Sequence, residues 1–106
     1  MKTRLTSIRL SQAAYEAAAR RGRLSDCIRV GLRILHDRYP DRILLMERER
    51  LHRRANSYDQ LTDGPRMYTK VRISTVELDW LKLNRINVTA ACEFAIFDAL
   101  KYYRLG

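Results

Sequence analysis

Hydrophobic and polar residues alternate along two short stretches of the chain, and each alternation ends in a serine. The first stretch is Ser7-Ile8-Arg9-Leu10-Ser11, and the second is Lys70-Val71-Arg72-Ile73-Ser74. Strict alternation is typical of a strand with one buried face, and serine is a preferred residue at the N-cap of a helix. Each stretch therefore predicts a strand that leads directly into a helix.

A second helix is predicted after each of these first helices. Ser25 and Thr89 are the expected N-caps, and apolar residues at helical spacing follow them as far as Tyr39 and Tyr103. Gly22 is expected to end the helix that precedes Ser25. The strands align at an offset of 63 residues and the second helices at an offset of 64, so the chain reads as one strand-helix-helix unit written twice.

The same periodicity predicts which side chains face the core. In the first unit they are Thr6, Ile8, Leu10, Ala14, Tyr15, Ala18, Ile28, Gly31, Leu32 and Leu35. In the second unit they are Thr69, Val71, Ile73, Leu78, Leu81, Cys92, Ala95, Ile96 and Ala99. Gly31 would allow another helix to approach closely, because it carries no Cβ atom.

The segment between the two units carries a third pattern. Asp41–Arg54 is predicted to be an additional helix, supported by an i,i+4 pair of Glu49 and Arg53. Asn56–Pro65 is rich in turn formers and is the expected connector. We therefore expect a single domain over residues 1–106, made of a first unit (1–39), an extra helix and connector (40–66) and a second unit (67–106).

One strand-helix-helix unit leaves both edges of its strand unpaired and cannot close a core alone. If the two strands pair antiparallel, the fold is mainly α with one short two-stranded ribbon, and the two units form a pseudo-dimer within one chain. The pleat then places alternate side chains on the outward face of the ribbon. These are Leu5, Ser7, Arg9, Tyr68, Lys70 and Arg72.

Charge narrows the class of partner. The chain has 21 Lys and Arg against 12 Asp and Glu, a formal net charge of +9, which favours nucleic acid or an acidic membrane surface. Residues 1–40 hold nine basic and three acidic side chains, so most of the surplus lies in the first unit. No apolar run has the length of a membrane span, and the N-terminus lacks a secretory signal, so we expect a cytoplasmic protein.

Enzymatic chemistry is not predicted. Cys27 and Cys92 have no partner at metal-ligand spacing and are expected to be small core side chains with free thiols. His36 and His52 are expected to be exposed structural residues, and Trp80 a packing residue. The sequence has no catalytic triad, paired carboxylates or glycine-rich phosphate loop, so we expect neither a cofactor nor a metal.

Residues 4–39 and 67–103 resemble the ribbon-helix-helix family typified by the Arc and MetJ repressors, through the I-R-L-S strand, the Gly-Arg turn and the Ser-initiated second helix with its Ile-Arg. The tandem form is similar to the TraY-type accessory proteins of conjugative plasmids. The resemblance implies double-stranded DNA binding through the ribbon in the major groove. It also implies either transcriptional repression or assembly of a nucleoprotein complex at a transfer origin, with self-association on DNA left open.

The family pattern assigns candidate site residues. The residues that it assigns to base reading are Ser7, Arg9, Lys70 and Arg72, with Leu5 and Tyr68 at the ends of the ribbon. Phosphate binding by backbone amides at the start of each second helix falls to Leu24, Ser25 and Asp26, preceded by Arg23, and to Val88, Thr89 and Ala90. The interval from Ser11 to Ser25 is about one helical turn shorter than the family pattern leads us to expect.

Alternatives remain at this point. Arg20, Arg21 and Arg23 either complement a helix C-terminus or contact phosphate. An antitoxin-like module would bind a protein partner through residues 40–66. A helix-turn-helix would instead insert Ser25, Asp26 and Arg29 into the groove.

Overall fold

A computed structural model describes residues 2–52 and 66–99 of the chain. Within these ranges the fold is a small, mostly helical domain with five helices and a two-stranded antiparallel sheet. In chain order the elements are β1 (Thr3–Ser11), α1 (Gln12–Arg21), α2 (Leu24–Arg38), α3 (Leu45–Leu51), β2 (Arg66–Ser74), α4 (Thr75–Leu83) and α5 (Val88–Phe97).

The predicted strand pairing and strand faces are confirmed. β1 and β2 run antiparallel along their whole length, with Ser7 opposite Lys70. The inward side chains of Ile8, Leu10, Val71 and Ile73 are buried, and those of Thr6 and Thr69 are half-buried. The helices therefore cover one face of the ribbon, as the alternation predicts.

The starts of the two second helices differ from the prediction. α2 begins at Leu24 with Arg23 as its N-cap, so Ser25 lies inside the helix and does not cap it. α5 begins at Val88 with Asn87 as its N-cap, so Thr89 is likewise internal. In each case the chain has already turned, at Gly22 (φ 132°) and at Arg85 (φ 57°), so the helix starts earlier than the hydroxyl residue.

The first helices match the pattern except at Tyr15 and at Ser74, which occupies the N-cap position of α4 but makes no side-chain capping bond. Ser11 caps α1 by accepting from the amide of Ala14 at 3.2 Å, and Gly22 ends the helix as predicted. Ala14 and Ala18 are buried, but Tyr15 is 39% exposed, so its predicted inward position is wrong. Small alanines on the inward stripe bring this short helix close to its neighbours and turn the adjacent tyrosine outward.

The closest helix contact is between α2 and α5. A Cβ atom at Gly31 would overlap the side chain of Ala95 and lie 2.7 Å from the carbonyl oxygen of that residue. The predicted close approach at Gly31 is therefore confirmed. Around it, the predicted apolar stripe of each helix is buried: Ile28, Leu32 and Leu35 from α2, and Cys92, Ala95 and Ile96 from α5.

The helix predicted over Asp41–Arg54 begins later. Residues after Pro40 form a turn in which the Ile43 amide donates to the Pro40 carbonyl at 3.2 Å, and α3 starts only at Leu45. Proline has no amide hydrogen and interrupts the helical bonding here. Several predicted features lie outside the described residues: Arg53 and its pair with Glu49, the connector Asn56–Pro65, and Tyr103.

The two histidines and Trp80 form a cluster beside the ends of α2 and α3. The ring of His36 stacks on Trp80 with 4.4 Å between centroids, and Tyr39 meets Trp80 edge-on at 5.5 Å. The Tyr39 hydroxyl lies 2.6 Å from Nε2 of His52, whose Nδ1 lies 3.2 Å from the carbonyl oxygen of Arg85. These side chains join α2 and α3 to α4 and the turn after it.

Both cysteines are free thiols. Cys92 is fully buried, and burial, with a smaller contribution from the adjacent Glu93, raises its pKa from 9.0 to about 12. Over the two ranges that the structure covers, no helix combines the length and the apolar character that crossing a membrane requires.

Candidate nucleic-acid interface

The outward face of the ribbon is exposed and basic. Leu5 is 53% and Tyr68 71% exposed, and Ser7, Arg9, Lys70 and Arg72 are exposed as well. The sequences of the two strands contain five basic residues and no acidic residue. The structure thus brings all six side chains assigned to base reading onto one continuous, positively charged surface.

Arg9 and Tyr68 are directly opposite each other on this face. The guanidinium carbon of Arg9 lies 4.7 Å from the centroid of the Tyr68 ring, and Nη2 donates to the Tyr68 hydroxyl. A guanidinium over an aromatic ring is held by cation–π attraction. Arg9 is therefore oriented by its cross-strand neighbour.

The other end of the face is built differently. Arg72 is opposite Leu5, which offers neither a ring nor a hydrogen-bond acceptor. The two arginines occupy equivalent positions at the offset of 63 residues, and so do Leu5 and Tyr68. The ends of the ribbon therefore present the same charge with different orienting side chains.

The N-terminus of α2 leaves backbone amides available. Its N-cap residue, Arg23, makes no side-chain capping bond, and the first helical bond runs from the Cys27 amide to the Arg23 carbonyl at 3.1 Å. The amides of Leu24, Ser25 and Asp26 are the ones that an α-helix leaves without an internal partner. The Asp26 carboxylate lies 3.1 Å from a guanidinium nitrogen of Arg29, which offsets its charge at this helix end.

The N-terminus of α5 is capped internally. Oδ1 of Asn87 accepts from the Ala90 amide at 3.0 Å, so that amide is already used. Val88 and Thr89 are the two remaining positions of the predicted phosphate site in the second unit. Asn87 is absent from the predicted site residues, although asparagine two positions before Thr89 is a recognisable N-cap signal.

The three arginines at the end of α1 and in the turn after it have different surroundings. Arg21 donates to the Ile96 carbonyl oxygen near the end of α5, a contact that suits the C-terminal end of a helix dipole. Arg20 and Arg23 are exposed. Arg21 thus contacts the end of a different helix from the one that it terminates, and Arg20 and Arg23 stay candidates for phosphate.

The position of α2 bears on the helix-turn-helix alternative. α2 packs against β2, α1, α4 and α5. Ser25, Asp26 and Arg29 are exposed, but Asp26 and Arg29 pair with each other. One face of α2, which also includes Val30 and Arg33, stays exposed, so the helix-turn-helix alternative remains a prediction.

One exposed apolar stretch lies outside the ribbon. Leu44, Leu45 and Met46, around the start of α3, are 61%, 62% and 75% exposed. They fall within residues 40–66, the segment assigned to a protein partner in the antitoxin-like alternative. The sequence shows that these residues are apolar, but its spacing does not indicate that they face outward.

Residues 2–52 and 66–99 contain no group of three or more His, Cys, Asp or Glu side chains placed to hold a metal ion. Comparison of the chain with protein-family models, with curated proteins and with solved structures found no match in any of the three.

Proposed function

We propose that this chain binds double-stranded DNA through the outward face of its ribbon. The observation that carries the proposal is the single exposed surface of Ser7, Arg9, Lys70 and Arg72 on two strands without an acidic residue. A two-stranded ribbon fits the major groove, which is about 12 Å wide. Arginine can donate two hydrogen bonds to O6 and N7 of guanine, and lysine can reach the same acceptors.

We further propose that the two units act as the two halves of a ribbon-helix-helix dimer within one chain. Two contacts support this arrangement. Ser7 is opposite Lys70, its equivalent at an offset of 63, and Gly31 packs on Ala95, its equivalent at an offset of 64. In a twofold dimer, a residue contacts the same residue of the other half only if it lies beside the symmetry axis. The two pairs therefore mark the positions through which a pseudo-twofold axis would pass.

The resulting role is site-specific binding that represses transcription or organises a nucleoprotein complex at a transfer origin. In both cases phosphate contacts supply much of the affinity and ribbon side chains supply the preference for a sequence. The exposed Arg23 and the amides of Leu24 and Ser25 are the phosphate contacts we favour in the first unit.

The test is the salt dependence of binding. Sites selected from a random DNA pool should bind more tightly than unrelated duplexes, and both affinities should fall steeply as salt rises. Contact with about five phosphates gives a log–log slope of magnitude about 4 or more. An affinity that does not change with salt would rule out this function.

A matched pair of variants separates ribbon contacts from general charge. Arg9→Ala and Arg42→Ala each remove one exposed positive charge, but Arg42 lies in the turn before α3 and not on the ribbon. We expect Arg9→Ala to reduce the preference for the selected site and Arg42→Ala to leave it unchanged.

The exposed Leu44, Leu45 and Met46 favour a second candidate function, binding of a protein partner as in an antitoxin. A photo-crosslinking amino acid at position 46, in the producing cell, should then yield one major crosslinked protein species. The same amino acid at exposed Asp37 is the control, and equal products from both positions would count against a specific partner.

A further inference from the structure

The side chain of the second helix that lies beside the end of each strand has opposite charge at the two ends of the ribbon. At the end of β1, the amide of Ser11 donates to Oε1 of Glu93 at 3.2 Å. Glu93 belongs to α5 and is only 7% exposed. A buried carboxylate thus fills the space between this strand end and the second helix.

At the opposite end the equivalent space is a cavity. Ser74 is equivalent to Ser11 at an offset of 63, and Arg29 is equivalent to Glu93 at an offset of 64. Both Ser74 and Arg29 line a cavity of about 180 Å³ between the end of β2, α2 and the start of α4. An arginine therefore replaces the carboxylate, and the volume that the carboxylate occupies at the other end is open.

The amide of Ser74 is a donor aimed away from β1. Hydrogen-bonded and non-hydrogen-bonded pairs alternate along an antiparallel ribbon. The Thr75 amide donates to the Lys2 carbonyl at 3.1 Å, which makes this a hydrogen-bonded pair, so the neighbouring pair of Thr3 and Ser74 is not. The Ser74 N–H therefore points to the side of β2 on which α2 packs, as the Ser11 N–H points towards α5.

The cavity lining combines positive charge with an apolar floor. Arg29, Arg33 and Arg72 line it, together with the apolar side chains of Ile28, Leu32, Ile73 and Val76. Its acidic member is Glu77, whose Oε2 is buried without a hydrogen-bond partner and lies 3.2 Å from Nδ1 of His36. Arg29 pairs with Asp26, but both side chains are more than half exposed, and exposed pairs of this kind are weak.

We propose that this cavity binds a small carboxylate with a compact apolar body, an aromatic or branched-chain acid. The ligand carboxylate accepts hydrogen bonds from the Ser74 amide and from the guanidinium groups of Arg29 and Arg33. It thus takes the role that the Glu93 carboxylate has beside Ser11 at the other end of the ribbon. The apolar body packs mainly against the exposed side chain of Val76, with the buried Ile28 and Leu32 beneath it. A closed apolar cavity of ~150 Å³ is large enough for benzene, so the volume suits one six-membered ring.

Benzoate is the probe for this site, and binding is followed by amide chemical shifts in NMR without DNA, so the outcome does not depend on the proposed function. We expect saturable shifts at Ser74, Ile73, Arg29 and Leu32. Benzamide has the same ring without the charge and should bind at least about tenfold more weakly, because charge-assisted hydrogen bonds are lost.

Arg29→Glu introduces a carboxylate at the position equivalent to Glu93, where it can accept from the Ser74 amide in place of the ligand. We expect this variant to lower benzoate affinity at least about tenfold, and Arg42→Glu, with the same change of charge outside the cavity, to stay within about twofold. Arg33→Gln, at an exposed position, is a milder second variant that should also weaken binding. The proposal is overturned if Ser74 shows no saturable shift, if benzamide binds as well as benzoate, or if Arg29→Glu and Arg42→Glu have the same effect.

Discussion

The guanidinium of Arg9 rests on the ring of Tyr68, with 4.7 Å between its central carbon and the ring centroid. Arg72, the equivalent arginine, is opposite Leu5. One arginine of the ribbon is therefore oriented before any ligand binds, whereas its counterpart retains more rotamer freedom to lose on binding.

Arg9→Ala and Arg72→Ala test the reading of bases by the ribbon. Each should cost roughly 1–3 kcal/mol of binding free energy and relax preference at a different base pair, because the two side chains lie at opposite ends of the face. Binding to a panel of single-base-pair variants of the selected site measures both effects. Identical changes from the two variants, or none from either, would contradict base reading by this face.

Tyr68→Leu tests the orienting role of the tyrosine. The substitution gives Arg9 the same cross-strand neighbour that Arg72 has, so the two ends of the ribbon become alike. We expect a broader base preference at the Arg9 end and a more palindromic selected site, with little loss of stability because position 68 is exposed. Selection from a random pool with the variant and the parent chain shows whether the preferred sequence becomes more symmetric.

A dimer within one chain should fold without a second molecule. Its Tm is therefore expected to be nearly independent of protein concentration. A fragment of residues 1–40 should lose cooperative unfolding, since it retains β1 without β2 and α2 without α5. Circular dichroism over a range of concentrations distinguishes the cases, and a fragment that folds as a dilute monomer would argue against the paired units.

Gly31→Ala tests the contact between α2 and α5. The added methyl would overlap Ala95, so the variant should lose about 1–3 kcal/mol of unfolding free energy. Ala95→Gly in the same chain removes one of the overlapping atoms and should restore part of the loss. Denaturant unfolding of both single variants and of the double variant measures this coupling, and additive losses would show that the two positions are independent.

Cys92 gives stability a pH dependence in the alkaline range. Because burial raises its pKa from 9.0 to about 12, the folded chain keeps a proton that the unfolded chain releases. The resulting contribution to the free energy of unfolding is fully present below pH 9.0 and is lost as the pH rises through about 12. The whole loss amounts to roughly 4 kcal/mol. Cys92→Ala should flatten the fall in unfolding free energy over this interval, as measured by denaturant unfolding at a series of pH values.

Much of the fold follows from residue spacing. The alternation around Ile8 and Val71 predicts the buried face of each strand correctly, and Gly22 ends α1 where expected. Tyr15 shows the limit of periodicity: on a short helix whose inward stripe is alanine, a large neighbour can turn outward at little cost. Likewise, Ser25 and Thr89 are good cap residues, but backbone turns at Gly22 and Arg85 start both helices before them.

The candidate interface is predictable only in part. The pleat indicates which side chains face outward, but the contact of Arg9 with Tyr68 depends on which residues lie opposite each other, and the sequence does not specify that register. The cavity beside Ser74 is harder still to predict, because it arises where Arg29 occupies the position that Glu93 occupies in the other unit. Its detection requires both units in three dimensions.

The pairing of Ser7 with Lys70 has a consequence for how such a surface can change over time. In a ribbon made from two identical chains, a lysine at the central position would face a second lysine, and two ammonium groups side by side repel each other. A single chain encodes the two strands separately, so a substitution in one strand is not copied into the other. The chain can therefore keep one positive charge at the centre of the ribbon and alter each half of the outward ribbon face independently.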